Sequence, residues 1–248
     1  MIKSTLQMIR FEFRQVTRLF PNIFFSVVFP LLLLLVFGSL YGNNPNKIFY
    51  GYGSVDILTP SYIGNIIAVN SLNNLPLSIS FYREIKVLKR YRATPINPVQ
   101  LLISQFIVYF ILSIVSSIIL ISISHLTFGL RFEGNIFLFA LYFILSSISM
   151  SSIGLLISSL TSSSKICIAF SNIVYFPMIF LSGASFATEL MPEGMMEISA
   201  FVPLTYCVNL LKSAWLGLPL ANILYSILIL IGITILSIAI STITFKWD

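Results

Sequence analysis

The chain has 248 residues, of which 57% are hydrophobic and 9% charged, with a net charge of +6. Soluble domains carry about 25% charged residues, so a fold this poor in charge could not cover a water-facing surface; the composition points to an all-α polytopic membrane protein. The excess of Lys and Arg is no nucleic-acid signal, because these residues cluster beside long apolar runs without an aromatic-lined binding module, and they read as topology determinants and contacts for anionic lipid headgroups.

Residues 1–22 form the first unit, with an amphipathic helix over 1–20. Ile2, Leu6, Ile9, Phe13, Val16 and Phe20 recur at spacings of three and four, and Lys3, Gln7, Arg10, Arg14 and Arg18 fill another face. A cationic polar face at period 3.6 fits a helix lying in the membrane interface, with docking on protein as the alternative. No cleavable signal peptide is expected, since the first apolar run starts only after this mixed stretch and lacks a small-residue cleavage site.

Residues 23–245 hold six predicted spans. The first covers about 23–41 and contains Pro30, whose freed carbonyl needs compensation from a neighbouring helix or side chain. A polar loop, 42–56, carries a turn signal at Asn44-Pro45. The second span, about 59–81, is unusually polar: Asn70, Asn73 and Asn74 share one helical face with Asn65 at its edge. Amides at that depth either hydrogen-bond between helices or line a water-filled path.

The basic run 82–98, YREIKVLKRYRATPINP, follows. It contains Arg83, Lys86, Lys89, Arg90 and Arg92, five of the fourteen Lys and Arg residues. Continued as a helix, it would put Arg83, Lys86 and Arg90 on one face and Phe81, Ile85 and Leu88 on another. Glu84 finds no cation three or four residues away, so it lacks the usual local partner of a surface helix.

The third span covers about 99–124 and ends at His125, the only histidine, which reads as an interfacial residue before the loop 126–135. The fourth, about 136–160, carries Ser147, Ser151, Gly154 and Ser158 at steps of four, three and four, a small-residue stripe for close helix packing. The fifth, about 166–186, contains Pro177. The stretch 187–218 is apolar but broken by Pro192, Pro203 and several charges, and reads as two short helices at or dipping into the outer interface. The sixth span covers about 219–245, with Trp247 as an interface anchor.

Short Lys- and Arg-rich loops stay in the cytoplasm. With both termini inside, eleven Lys and Arg face the cytoplasm and three (Lys47, Arg131 and Lys212) face outward. The layout is therefore six spans with cytoplasmic termini in a cell membrane of the bacterial cytoplasmic kind.

The motifs of several chemistries are missing. There is no phosphate-binding loop, no His-Glu-x-x-His and no metal-spaced histidine cluster, and Cys167 and Cys207 stand in different segments with no framework around them. Glu189, Glu193 and Glu197 repeat at every fourth residue and read as a solvated face, or as a cation-attracting mouth. No catalytic, metal or cofactor-binding residue is nominated.

Three stretches together resemble the membrane subunit of ABC-type-2 exporters, of the antibiotic and multidrug kind. One is the basic run, through Glu84, Lys89, Arg90, Arg92, Thr94 and Pro95; another is FPMIFLSGASF at 176–186; the last is MPEGMMEISAFVPLTYCVNLLKSAW at 191–215. Ala187 stands where many relatives carry Pro. The resemblance implies a permease without its own ATPase site, paired with a second permease, identical or homologous, and served by two separate ABC ATPase subunits that bind ATP and Mg. It also implies that 82–98 is the coupling loop and that the cargo is a drug, antibiotic or amphipathic peptide. Lipid or polysaccharide export, and a membrane-embedded lipid-modifying enzyme, are the alternatives. Asn70, Asn73 and Asn74 would face the path, with Phe176, Met178 and Phe180 offering apolar surface to the cargo.

Overall fold

The computed structural model describes residues 2–16, 20–45, 51–86, 98–186, 188, 191–219 and 222–244. Among them every regular element is helical. The helices are α1 (Ile2–Val16), α2 (Phe20–Tyr41), α3 (Ser54–Val69, continued through Asn70–Asn74 and Leu75–Glu84), α4 (Pro98–Phe128), α5 (Ile136–Leu160), α6 (Ser164–Leu181), α7 (Glu193–Ser199), α8 (Pro203–Leu216) and α9 (Ile223–Thr244).

Five of these, α2, α4, α5, α6 and α9, are long and apolar enough to cross a membrane. The expected second span, α3, is not among the five. It runs about 46 Å at 1.5 Å per residue, and every residue from Ser54 to Val69 is buried. It touches α2, α4, α5, α6 and α8. Protein surrounds it along Ser54–Val69, and Asn65, Asn70 and Asn74 are buried, so most of its polar side chains meet other helices.

The ends are held by different devices. At one end Asp56 accepts hydrogen bonds from Asn43 Nδ2 (3.1 Å), the Gly53 amide (3.3 Å) and the Arg131 amide (2.9 Å). The Trp215 indole donates to the Arg131 carbonyl at 3.1 Å and packs edge-on against Phe132 and Phe139. At the other end Arg83 and Glu84 close the bundle. Arg10, Arg14, Lys86 and Lys165 join Arg83 there, and Arg131 and Lys212 lie at the Asp56 end. By the retention of basic segments inside, the Arg83 end corresponds to the expected cytoplasmic one.

Two proline-linked distortions shape the centre. Phe24–Val28 and Asn70–Asn74 are π-helical turns, closed by the Phe29 amide on the Phe24 carbonyl and the Leu75 amide on the Asn70 carbonyl. Each immediately precedes a proline-containing turn, at Pro30 and Pro76. Proline removes a helical donor and crowds the carbonyl four residues back, and one wide turn relieves both problems. The two turns face each other: Ser26 Oγ donates to Asn70 Oδ1 at 2.6 Å, and Asn74 Nδ2 donates to Ser26 Oγ at 3.1 Å.

The small-residue stripe of α5 packs on the same region. Ser151 and Ser71 share a hydrogen bond of 3.0 Å, and a β-carbon at Gly154 would collide with the Ser71 carbonyl oxygen. The outer face of α5 carries α9, fastened by Ser149 Oγ on the Leu230 carbonyl and by the Ser159–Thr244 hydroxyl pair.

Several expected boundaries move. Helix α4 extends to Phe128, and His125 lies in its last turn with Nδ1 at 3.0 Å from the Leu130 carbonyl. Helix α6 stops at Leu181, where the chain turns through Gly183 at φ +79°. The stretch 187–218 does contain two short helices, and the second, α8, is buried between α3 and α5, with Gly217 ending it in the left-handed region. Helix α1 docks along α4 and turns Met8, Glu12 and Val16 inward, leaving Phe11 exposed. Glu197 is exposed, as a solvated face requires; Glu189 lies outside the described residues.

Candidate functional site

A cavity of about 500 Å³ opens between α2 and α6, with α3 as its floor. Helix α2 contributes Asn22, Phe25, Phe29 and Leu33; α3 contributes Val69, Asn73, Asn74 and Leu77; α6 contributes Ser171, Tyr175, Phe176, Ile179 and Phe180, with Phe186 just beyond it. Phe25, Phe176 and Phe180 are about half exposed along its rim, so the cavity is open toward the flank of the chain. Phe180 and Phe186 stack at 6.0 Å, and Phe186 meets Phe37 edge-on at 5.9 Å, which holds the rim in place.

The floor is polar at specific points. Asn73 Oδ1 and Ser171 Oγ are buried without a hydrogen-bond partner among the described residues. Such atoms cost free energy unless something supplies a partner, so they mark where a ligand or water can bind. Asn70 and Asn74 are satisfied, whereas Asn65 is satisfied at its oxygen but not at its amide nitrogen. Asn70 is fully buried, accepts from Ser26 and Asn74 and donates to Ser113 at 2.9 Å, while Asn65 accepts from Tyr175 at 2.8 Å.

The residues nominated for the path therefore divide. Asn73, Asn74, Phe176 and Phe180 line one cavity. Asn70 and Met178 do not: Asn70 knots α2, α3 and α4 together, and Met178 packs against the hydrophobic core.

A second chamber of about 280 Å³ lies toward the cytoplasmic end and shares Asn22, Asn74 and Leu77 with the first. Glu12, Gln15, Ser78, Phe81 and Tyr109 complete it. Glu12 is 2% exposed, and burial lifts its carboxyl from the usual 4.5 to about 7, against the opposing pull of the Tyr82 hydroxyl. That hydroxyl lies 2.9 Å from Glu12 Oε2 and 2.7 Å from Gln15 Oε1. The residue escaped the sequence reading because the helix was phased on its arginines. A usable signal was there: Glu12 is the only acid before Asp56, and it falls at four-residue steps between Met8 and Val16.

At the exit of α3, two adjacent side chains bind two different helix ends. Arg83 is buried and donates to the Ser158 carbonyl at 2.8 Å and to the Thr161 carbonyl, at the C-terminal end of α5. Glu84 is exposed and accepts from the Ser164 amide at 3.0 Å, at the N-terminus of α6. A cation at a helix C-terminus and an anion at an N-terminus both match the helix dipole. Glu84 thus has a partner, supplied across the bundle instead of along its own helix. Helix α3 does not continue into the basic run as expected: Ile85 and Lys86 form a turn, with Lys86 at φ +57°. Lys89, Arg90, Arg92, Thr94 and Pro95 lie outside the described residues. No cluster of three or more metal-ligating side chains occurs among the described residues.

Comparison with known proteins bears on the whole arrangement. Residues 3–216 match the ABC-2 type transporter family. The probable multidrug ABC transporter permease YbhR of Escherichia coli (strain K12) is 24% identical over 159 residues, covering 64% of this chain and 43% of that protein. The related YbhS of the same strain is 27% identical over 132 residues, 50% of this chain and 33% of that protein. Nodulation protein J of Rhizobium leguminosarum bv. viciae is 33% identical over 79 residues, 32% of this chain and 30% of that protein. The matched regions span under half the length of these curated relatives. The family match covers most of the chain, and a multi-pass helical membrane protein is what its helices build: the chain belongs to the ABC-2 type transporter family.

Proposed function

We propose that this chain is the permease subunit of an ATP-driven exporter in the bacterial cytoplasmic membrane, and that its cargo is an amphipathic drug, antibiotic or peptide. Two permeases, identical or homologous, face each other across α2 and α6, and the cavity opens between them. Two separate ABC ATPase subunits, which bind ATP and Mg, dock beneath the basic run 82–98. The observation that carries this reading is the cavity itself: half-exposed phenylalanines around a floor with two unsatisfied polar atoms suit an apolar ligand with a few polar groups.

The Arg83–Glu84 pair supplies a route for coupling. A displacement of the basic run pulls on the ends of α5 and α6 together, and α6 forms one wall of the cavity. The relatives named as multidrug permeases support drug-like cargo.

The test is co-expression with the ATPase, purification of the assembly and reconstitution into liposomes. Cargo-stimulated ATP hydrolysis, with a weakened response in Asn73→Leu and Phe176→Ala, is expected. An assembly that exports normally with both substitutions would place the path elsewhere.

A further inference from the structure

The two chambers differ in chemistry and join at Asn22, Asn74 and Leu77. One is walled by phenylalanines; the other ends in a buried carboxyl. We propose that the smaller chamber receives the cationic head of the exported amphiphile, with Glu12 as its counter-charge, while the larger chamber holds the apolar part. This rests on the exporter reading above and adds a charge requirement for the cargo.

The contrast between two buried acids carries the argument. Asp56 is 3% exposed and receives three donors, two of them backbone amides, so its charge is fully accommodated by the fold. Glu12 is equally buried but among the described residues its hydrogen-bond donor is the Tyr82 hydroxyl alone, which has one hydrogen to divide between Glu12 and Gln15. An ionised carboxylate accepts several hydrogen bonds, and burying one with so few is costly. The fold therefore holds a carboxyl that stabilises little when the chamber is empty.

Its surroundings leave the place of a cation open. Among the described residues the titratable groups facing it are Tyr82 from α3 and Tyr109 from α4, neither of them cationic. Arg83, the nearest cation along α3, is turned to the α5 carbonyls, and Arg10 and Arg14 lie on the exposed side of α1. When a cation arrives, the carboxyl gives up its proton and an ion pair forms inside the low-dielectric chamber. The titration of the empty site near neutral pH, raised by burial, agrees with this geometry.

The experiment uses the purified permease in phosphatidylcholine nanodiscs. Two fluorescent probes with the same dodecyl chain are compared, one ending in trimethylammonium, whose charge does not titrate, the other in an alcohol. Signal from empty nanodiscs is subtracted. The cationic probe should bind about tenfold more tightly at pH 8 than at pH 5.5, and the alcohol equally at both. Glu12→Gln should abolish the pH dependence and weaken the cation about tenfold at pH 8.

Equal binding of the two probes at pH 8, or a flat pH profile for the cation, overturns the proposal and leaves the exporter reading standing. Absence of binding by either probe overturns the proposal and the choice of cavity together. If Glu12→Gln fails to fold, the pH profiles of the two probes on the native chain decide alone. Displacement of the cation by phosphatidylethanolamine would assign the chamber to a membrane lipid and overturn the cargo assignment.

Discussion

Asn70→Leu separates packing from path lining. The side chain is fully buried and makes three hydrogen bonds, accepting from Ser26 (2.6 Å) and Asn74 (3.0 Å) and donating to Ser113 (2.9 Å). Such side-chain bonds in a membrane bundle average about 0.6 kcal/mol each, because the unfolded chain in the membrane also finds partners, so the three, two between helices and one along α3, sum to about 2 kcal/mol. Leucine keeps the branching of asparagine, but its methyl groups are bulkier than the amide atoms they replace, so overpacking adds to this loss. The stranded groups also have alternatives: Ser113 keeps its bond to the Tyr109 carbonyl, Asn74 keeps Ser26, and Ser26 can turn to its own helix. The expected loss is therefore at least about 2 kcal/mol in unfolding by dodecyl sulfate from mixed micelles. A double-mutant cycle with Ser26→Ala should show a coupling of about 0.5 kcal/mol or more. Additivity to within about 0.3 kcal/mol would refute the paired π-turn contact.

Gly154→Ala should destabilise by about 1–3 kcal/mol, toward the upper end because the β-carbon meets the backbone at Ser71, whereas Gly232→Ala, in open space, should not; melting temperatures in detergent compare them. Glu84→Lys should leave insertion and assembly intact but lower cargo flux per ATP, because it puts a cation against the N-terminus of α6; normal flux per ATP would remove Glu84 from coupling. Glu12 makes stability depend on pH. Its folded value of about 7 exceeds the ordinary 4.5, so its contribution is complete below pH 4.5 and is lost as pH rises to about 7. The difference between native chain and Glu12→Gln should change by at most ~3 kcal/mol across that window and stay constant above it. Equal pH profiles would show that Glu12 is not buried in the folded state.

What the sequence determined by itself follows from composition and local spacing. Apolar run length is set by the bilayer, so the helices Phe20–Tyr41, Ile136–Leu160 and Ile223–Thr244 lie within a few residues of their predicted bounds. Among the described residues most cations gather at the Arg83 end, as the retention of basic segments on one side leads one to expect. The stripe through Gly154 announced a close contact, because only small residues let two helix backbones approach.

The tertiary structure alone decided which surroundings each polar group has. Hydropathy measures the cost of leaving water and is silent on whether protein or lipid replaces it, so it could not show that α3 and α8 are sheathed by other helices. Nor could it separate Asn70, which is satisfied across three helices, from Asn73, one helical step away and lacking a partner for its oxygen. The same holds for Glu12 and Glu84. One is an acid on an arginine-rich helix and the other an acid in a basic run, and their roles differ because α4 and Tyr82 cover the first while the Ser164 amide meets the second. Periodicity is a property of one helix, whereas burial and hydrogen bonding are properties of pairs, and pairs form only when the chain folds.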